Sequence, residues 1–214
     1  MASIYQLKPA FQNFLRPFVN RLYQFGITAN QVTLVAMLIS VGLSCGLFYL
    51  YEPDRQSHYL GFLLIPFWML IRMAFNAIDG ILAREFNQQT RLGAYFNELC
   101  DVISDTALYG CFIVINFISP SLLFLVIFLA LLSEYAGVIA PLIGQQRRYD
   151  GPMGKSDRAF WFSVLAIFIV IGSYFTPFIP QTLFNYSSNG MLIIISILLV
   201  LTIYNRIKNA ILIT

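Results

Sequence analysis

Charge is scarce in this chain. Of 214 residues, 11% are Asp, Glu, Lys or Arg and 58% are hydrophobic, whereas a soluble domain carries about 25% charged residues. That shortage excludes a freely soluble domain, and a mean hydropathy of +0.73 agrees with an integral membrane protein. Histidine is almost missing. His58 stands alone in a short polar loop, so catalysis built on histidine is not expected. The three cysteines, Cys45, Cys100 and Cys111, are odd in number, scattered, and in or beside apolar runs. They supply neither a disulfide framework nor metal-ligand spacing and read as small buried hydrophobes. No basic-then-apolar pattern ending at a small-residue site opens the chain, so no cleavable signal peptide is expected. Internal repeats, low-complexity segments and a soluble domain are also lacking. The longest polar insert, 145–154, is too short to fold alone.

What is present is a set of apolar runs. The first 25 residues place Phe11, Leu15, Phe18, Val19 and Leu22 at helical spacing, with Lys8, Arg16 and Arg21 between them. Such a segment is too charged to span and suits the membrane surface; Pro17 predicts a bend or two short helices. After a break at Gly26, Thr28 and Gln31 fit a capping box. A crossing takes about 20 apolar residues, which places six spans near 30–50, 60–85, 92–117, 121–143, 156–175 and 190–204. The expected fold is an all-α integral membrane protein with six transmembrane helices and an amphipathic interfacial helix over 1–26. It forms one membrane domain over 1–214, with the bundle at 30–205. Lys8, Arg16, Arg21, Arg84, Arg91, Arg147, Arg148, Lys155, Arg158, Arg206 and Lys208 fall on one side, and Arg55 alone on the other. By the positive-inside rule both termini are cytoplasmic.

The polar residues that lipid should exclude concentrate at 76–105. Asn76, Asp79 and Ala83 share one helix face, and Gly93, Asn97, Asp101 and Asp105, each four apart, share another. The two helices meet near Gln88 and Gln89 and must run antiparallel. At 1.5 Å per residue, Asp79 and Asn97 each lie about 13–14 Å from that midpoint and Asn76 and Asp101 about 19 Å, less any loop. The four groups then form two level pairs. A mid-helix carboxylate in lipid costs about 2.5–3.5 kcal/mol, so aligned ones call for a cation or water. Facing oxygen ligands suit a hard cation such as Mg²⁺. Helix-to-helix hydrogen bonding and an ion pathway are other readings of the same residues. The pathway reading leaves Gly80, Ala83 and Arg84 without a role.

The pattern Asn76-x2-Asp79-Gly80-x2-Ala83-Arg84-x8-Gly93-x3-Asn97-x3-Asp101 resembles D-x2-D-G-x2-A-R-x8-G-x3-D-x3-D of the CDP-alcohol phosphatidyltransferases. Every spacing matches and six of eight fixed positions are identical. The resemblance extends to the basic N-terminal helix, to Gly26-Ile27-Thr28-x-Asn30-Gln31-Val32-Thr33, and to six spans. It is strongest with a bacterial subgroup that carries both asparagines and the Arg-Arg-Tyr-Asp-Gly-Pro-Met-Gly-Lys-Ser-Asp-Arg loop of 147–158.

The resemblance implies an active site between the second and third spans, on the cytoplasmic side of the inner membrane. Asn76, Asp79, Asn97 and Asp101 would hold Mg²⁺ or Mn²⁺, with Asp101 also the base. Asp79, Gly80, Ala83, Arg84 and Gly93 would bind the CDP-lipid. The reaction implied is transfer of a phosphatidyl group from CDP-diacylglycerol to a polyol or polyol phosphate hydroxyl, releasing CMP, by a homodimer among membrane lipids and without nucleic acid. Asn76 and Asn97 keep oxygen ligands but drop two charges. Asp105, about 6 Å further along the helix, either restores charge as a metal ligand or bonds between helices. Arg148 and Lys155 are expected to bind the acceptor or phosphates, and Ser156 to cap the following helix. Arg72 and Glu134 are intramembrane charges, either a structural pair or part of a site. Arg206 and Lys208 read as positive-inside anchors. Three other functions stand beside this one. They are a phosphoalcohol transferase using diacylglycerol as acceptor, a non-catalytic CDP-lipid-binding relative, and an ion transporter, which would need polar outer halves that this chain lacks.

Overall fold

The computed structural model describes residues 7–51, 59–175 and 180–212; Arg55, His58 and residues 178–179 of the last connection lie outside them. The described regular structure is helical throughout. It comprises α1 (Leu7–Gln24), α2 (Ala29–Leu50), α3 (Leu64–Glu85), α4 (Arg91–Gly110), α5 (Pro120–Val138), α6 (Lys155–Phe175) and α7 (Gln181–Leu212). Short 3₁₀ turns lie at Leu60–Leu63, Cys111–Val114 and Ala140–Ile143. Five segments are long and apolar enough to cross a bilayer: Ala29–Leu50, Leu60–Glu85, Pro120–Ile143, Lys155–Tyr174 and Gln181–Leu212. The remaining expected span corresponds to α4, whose 20 residues include Arg91, Glu98, Asp101 and Asp105. Outward faces are apolar: Leu38, Phe67, Leu70, Phe128 and Tyr186 are each more than half exposed. Water would drive such side chains inward, whereas lipid accepts them.

Two compact units make up the chain, Met1–Gly42 with Trp68–Asp105, and Leu43–Phe67 with Thr106–Thr214. In the first, α1 is one continuous helix through Pro17, not two short helices. Leu15 and Val19 bury against Ala29 and Val32 of α2 and Ile78, Ile81 and Leu82 of α3. Pro17 itself is exposed, so its ring lies off that packed face. The Arg16 guanidinium donates to both Glu85 oxygens, at 3.1 and 2.9 Å, and this carboxylate raises its pKa above the ordinary arginine value. The capping box forms as the spacing predicts. Thr28 N–H donates to Gln31 Oε1 at 2.8 Å, and Gln31 N–H to Thr28 Oγ1 at 3.3 Å. Trp68 is buried and donates to Ser40 Oγ at 2.8 Å.

The second unit is organised around Glu134 on α5. Its carboxylate meets Arg158 of α6 at 2.9 Å, Arg147 at 3.3 Å and Arg206 of α7 at 3.5 Å. Arg158 and Arg206 are each only 1% exposed. Arg206 is therefore no surface anchor; it also donates to the carbonyls of Ser133 and Asp150. A guanidinium in apolar surroundings persists only with anionic or carbonyl partners, and these arginines gather α5, α6 and α7 around such partners. Gly151 (φ +115°) lets the 144–154 loop lie against α7: a Cβ there would stand 2.6 Å from Thr202 Cα. The last helix begins nine residues earlier than the expected 190. Asn189 carries it through a polar stretch by donating to the carbonyls of Asn185 (2.7 Å) and Phe117 (3.0 Å) and accepting Ser119 N–H (2.8 Å). Cys100 and Cys111 are buried as expected, but Cys45 is exposed.

Gly151→Ala is expected to destabilise the protein by about 2 kcal/mol or more. Gly42→Ala, where a Cβ meets nothing within 4 Å, should be neutral or mildly stabilising. Thermal unfolding in detergent compares the two. Glu134→Gln removes the carboxylate that three arginines share and should cost about 3 kcal/mol or more. The same measurement should show a midpoint about 6 °C or more lower.

Candidate active site

The polar stripe sits where α3 and α4 are joined by a short, capped link. Asn87 takes a left-handed conformation (φ 55°), and Gln88 N–H closes the end of α3 onto Ala83 O at 3.1 Å. Asparagine is one of the few residues that accept this C-terminal geometry. Thr90 then caps α4, its hydroxyl oxygen accepting Gly93 N–H at 2.8 Å. Gln88 Oε1 also accepts Ala29 N–H at 2.8 Å, so the link caps the start of α2 as well.

Arg72 sets the register between the two helices. It is 4% exposed. One terminal nitrogen donates to Asp105 Oδ1 at 2.5 Å; the other lies 3.2 Å from Asp101 Oδ1 and 3.1 Å from the Asp101 carbonyl. These contacts put a residue thirteen before the end of α3 beside residues ten and fourteen after the start of α4. The helices are antiparallel, and in this register Asn76 stands level with Asp101, and Asp79 with Asn97. Counted from the helix ends, Asp79 and Asn97 are each about 9 Å along, less than the sequence count because Phe86–Thr90 is link. Glu134, one candidate partner for Arg72, belongs instead to the arginines of the second unit.

Surroundings differ along the stripe. Asp79 is buried, and the Thr33 hydroxyl of α2 lies 2.8 Å from its Oδ2. Asn76 and Asp101 are half-buried and Asn97 is exposed. Ala83 packs at the edge of the core formed by α1, α2 and α3. Both motif glycines lie under polar side chains. A Cβ at Gly80 would stand 3.0 Å from Arg84 Nη2, and one at Gly93 would stand 2.6 Å from Asn30 Oδ1. Arg84 is otherwise exposed and flexible enough to turn from Gly80 toward a phosphate. Thr33 and Asn30 were part of the recognised entry to α2, but their contacts with Asp79 and Gly93 had no signal in spacing, because α2 is distant in sequence.

For a metal, the stripe offers hard oxygen only: carboxylates from Asp79 and Asp101 and amide oxygens from Asn76 and Asn97. That donor chemistry fits Mg²⁺ or Mn²⁺. Among the described residues no group of three or more His, Cys, Asp or Glu side chains is placed to hold a metal.

The basic loop is in the second unit. Arg148 grips Asp150 through two hydrogen bonds, at 2.7 and 3.0 Å, and Asn209 adds a third at 3.1 Å. Burial pushes the Asp150 carboxyl up, but these bonds outweigh it and leave it below the usual range. Lys155 opens α6 and is half-buried. Asp157, not Ser156, caps that helix. Its Oδ2 accepts Gly154 N–H at 3.0 Å, and Gly154 O takes the first helical bond from Arg158 N–H. A carboxylate three residues in can reach back where a serine beyond the cap cannot.

The chain is 42% identical over 210 residues to the inner membrane protein YnbA of Escherichia coli, covering 98% of this chain and 97% of that one. It is 34% identical over 110 residues to the phosphatidylinositol phosphate synthase of Corynebacterium glutamicum, covering 51% and 46% of the two chains. The fold matches the phosphatidylinositol phosphate synthase of Mycobacterium tuberculosis. The crystal structure of that enzyme in complex with manganese and citrate aligns with a TM-score of 0.67 at 19% identity, over 92% of this chain and 88% of that one. The sequence model of CDP-alcohol phosphatidyltransferase matches residues 26–208, nearly the whole described helical region. With motif, fold and sequence in agreement, this chain belongs to the CDP-alcohol phosphatidyltransferase family, a family of enzymes that transfer substituted phosphate groups.

Proposed function

We propose that the protein transfers a phosphatidyl group from CDP-diacylglycerol to the hydroxyl of a polyol or polyol phosphate, with release of CMP. The observation that carries this reading is the antiparallel register of α3 and α4, which sets Asn76 level with Asp101 and Asp79 with Asn97 inside the family motif. Relatives support the donor: the M. tuberculosis synthase also has a crystal structure with CDP-DAG bound. The E. coli relative is named an inner membrane protein. With the lysine and arginine bias, that supports the same membrane here, with both termini and the site cytoplasmic and α4 as the sixth span. The enzyme works as a homodimer in this reading.

Asp79, held by Thr33, and Asp101 supply carboxylate ligands, and Asn76 and Asn97 supply amide oxygens. A divalent ion bound there would neutralise charge on the diphosphate oxygens. Asp101 takes the acceptor's proton as its oxygen bonds to the phosphorus that carries the lipid and the bond to the CMP oxygen breaks. Gly80 and Gly93 leave room for the nucleotide once Arg84 and Asn30 turn aside, and Arg84 then pairs with phosphate. Asp105 serves as counter-ion to Arg72 in this reading, not as a metal ligand. Three carboxylates and one guanidinium leave a formal charge of −2, which a single divalent ion balances. Arg148 and Lys155 bind an anionic acceptor or phosphate group in this reading, Arg148 by exchanging Asp150 for it.

A second reading is favoured by the two asparagines and by the lack of a three-acid cluster among the described residues: a relative that binds CDP-lipid without turning it over. Incubation with CDP-diacylglycerol, Mg²⁺ or Mn²⁺ and a panel of polyols and polyol phosphates separates the two. Metal-dependent CMP release supports the enzyme; CDP-lipid binding with no release under any acceptor supports the second reading. In the active enzyme, Asp101→Asn should lower kcat by about 10²-fold or more. Titration of Mn²⁺ followed by electron paramagnetic resonance should reach one ion per chain. Two ions per chain would defeat the charge argument.

A further inference from the structure

Arg72 lies outside the family motif, yet it touches the motif's last carboxylate. Its planar fork bridges two successive turns of α4, with Asp105 on one nitrogen and Asp101 on the other. The same nitrogen that meets the Asp101 carboxylate also meets the Asp101 carbonyl. The guanidinium therefore holds both the backbone and the side chain of the residue assigned the proton transfer. The Arg72 and Asp105 side chains are 4% and 10% exposed, while the Asp101 side chain is 24% exposed.

This asymmetry separates two tasks. The shorter, more buried contact balances the arginine's charge with Asp105. The longer contact, 3.2 Å against 2.5 Å, fixes Asp101 without making it the sole counter-ion. We propose that Arg72 is a positioning residue for Asp101, and that Asp105 exists to keep Arg72 from capturing Asp101 outright. A lysine could not do this, since an ammonium is a single point charge without the two-pronged fork. The inference rests on the proposed transferase reading for what Asp101 does.

The test compares wild type, Arg72→Lys and the charge-balanced double variant Arg72→Gln/Asp105→Asn, each purified in detergent. Removing both members of a buried pair is far milder than removing one, so the double variant should keep its thermal midpoint within about 4 °C of wild type. The expected result is a kcat lower by about 10- to 100-fold, with KM for CDP-diacylglycerol within about threefold of wild type. Mn²⁺ affinity should weaken, because Asp101 is also a donor. Arg72→Lys should fall between, a partial rescue by the conserved charge. A folded double variant, or Arg72→Lys if the double variant does not fold, that turns over at the wild-type kcat overturns the proposal. If wild type binds Mn²⁺ but does not turn over, the Mn²⁺ arm decides: unchanged affinity in the folded variant overturns it, weakened affinity supports it. A wild type that shows neither turnover nor CDP-lipid nor Mn²⁺ binding defeats the transferase reading and this inference with it.

Discussion

A guanidinium among apolar helices cannot rest on water for solvation; it must find carboxylates or carbonyls inside the protein. Arg72 finds both on α4, and once it does, the sliding freedom of α3 against α4 is gone. A shift of one turn would pull it off Asp105 and leave a buried charge without its closest partner, a loss of about 3–5 kcal/mol. The levels of Asn76, Asp79, Asn97 and Asp101 follow from that constraint. The second unit repeats the device with the signs exchanged. There a single carboxylate, Glu134, collects arginines from α6, α7 and the loop before α6.

Much of this was legible in the sequence because it is local. Apolar runs marked the spans near 30–50, 60–85, 121–143 and 156–175 closely, and Thr28 with Gln31 announced a cap that forms as written. The stripe was legible from spacing alone, and its antiparallel folding from the short polar link. What could not be read was pairing across long separations. Three acids at helical intervals offered Arg72 no unique partner, and Glu134 seemed as good a candidate until the fold assigned it elsewhere. Pro17 does not divide α1, for a different reason. A proline breaks a helix through its ring and its missing N–H, but α1 is held along its other face by Leu15 and Val19, and Arg16 ties it to Glu85. The serines and asparagine at 187–189 read as connection before the last span, yet Asn189 places its amide on neighbouring backbone groups and the helix already runs through them.

The motif glycines carry a similar lesson. Their small size is used in the free protein, with Arg84 lying over one and Asn30 against the other. Both covering groups are side chains, so a ligand can replace them at the cost of rotamer changes alone. Thr33 and Gln88 add a connection from α2: one meets the buried acid of the stripe, the other is supplied by the link between α3 and α4. Three helix ends are thus tied to one small region, and a substitution in any of them reaches the same chemistry.

The polarity of α4 bears on how the chain enters the membrane. A mid-helix aspartate adds about 2.5–3.5 kcal/mol to the transfer of a helix into hydrocarbon, and α4 brings Asp101 and Asp105 four residues apart. Presented alone, it would be turned back at the interface. The cation that offsets those acids is on α3, already made when α4 emerges, and only the five residues 86–90 separate the two helices. In the proposed six-span reading, the pair would partition as a closed hairpin, Arg72 against the acids, and the contact that sets the register of the stripe would also let its most polar helix cross.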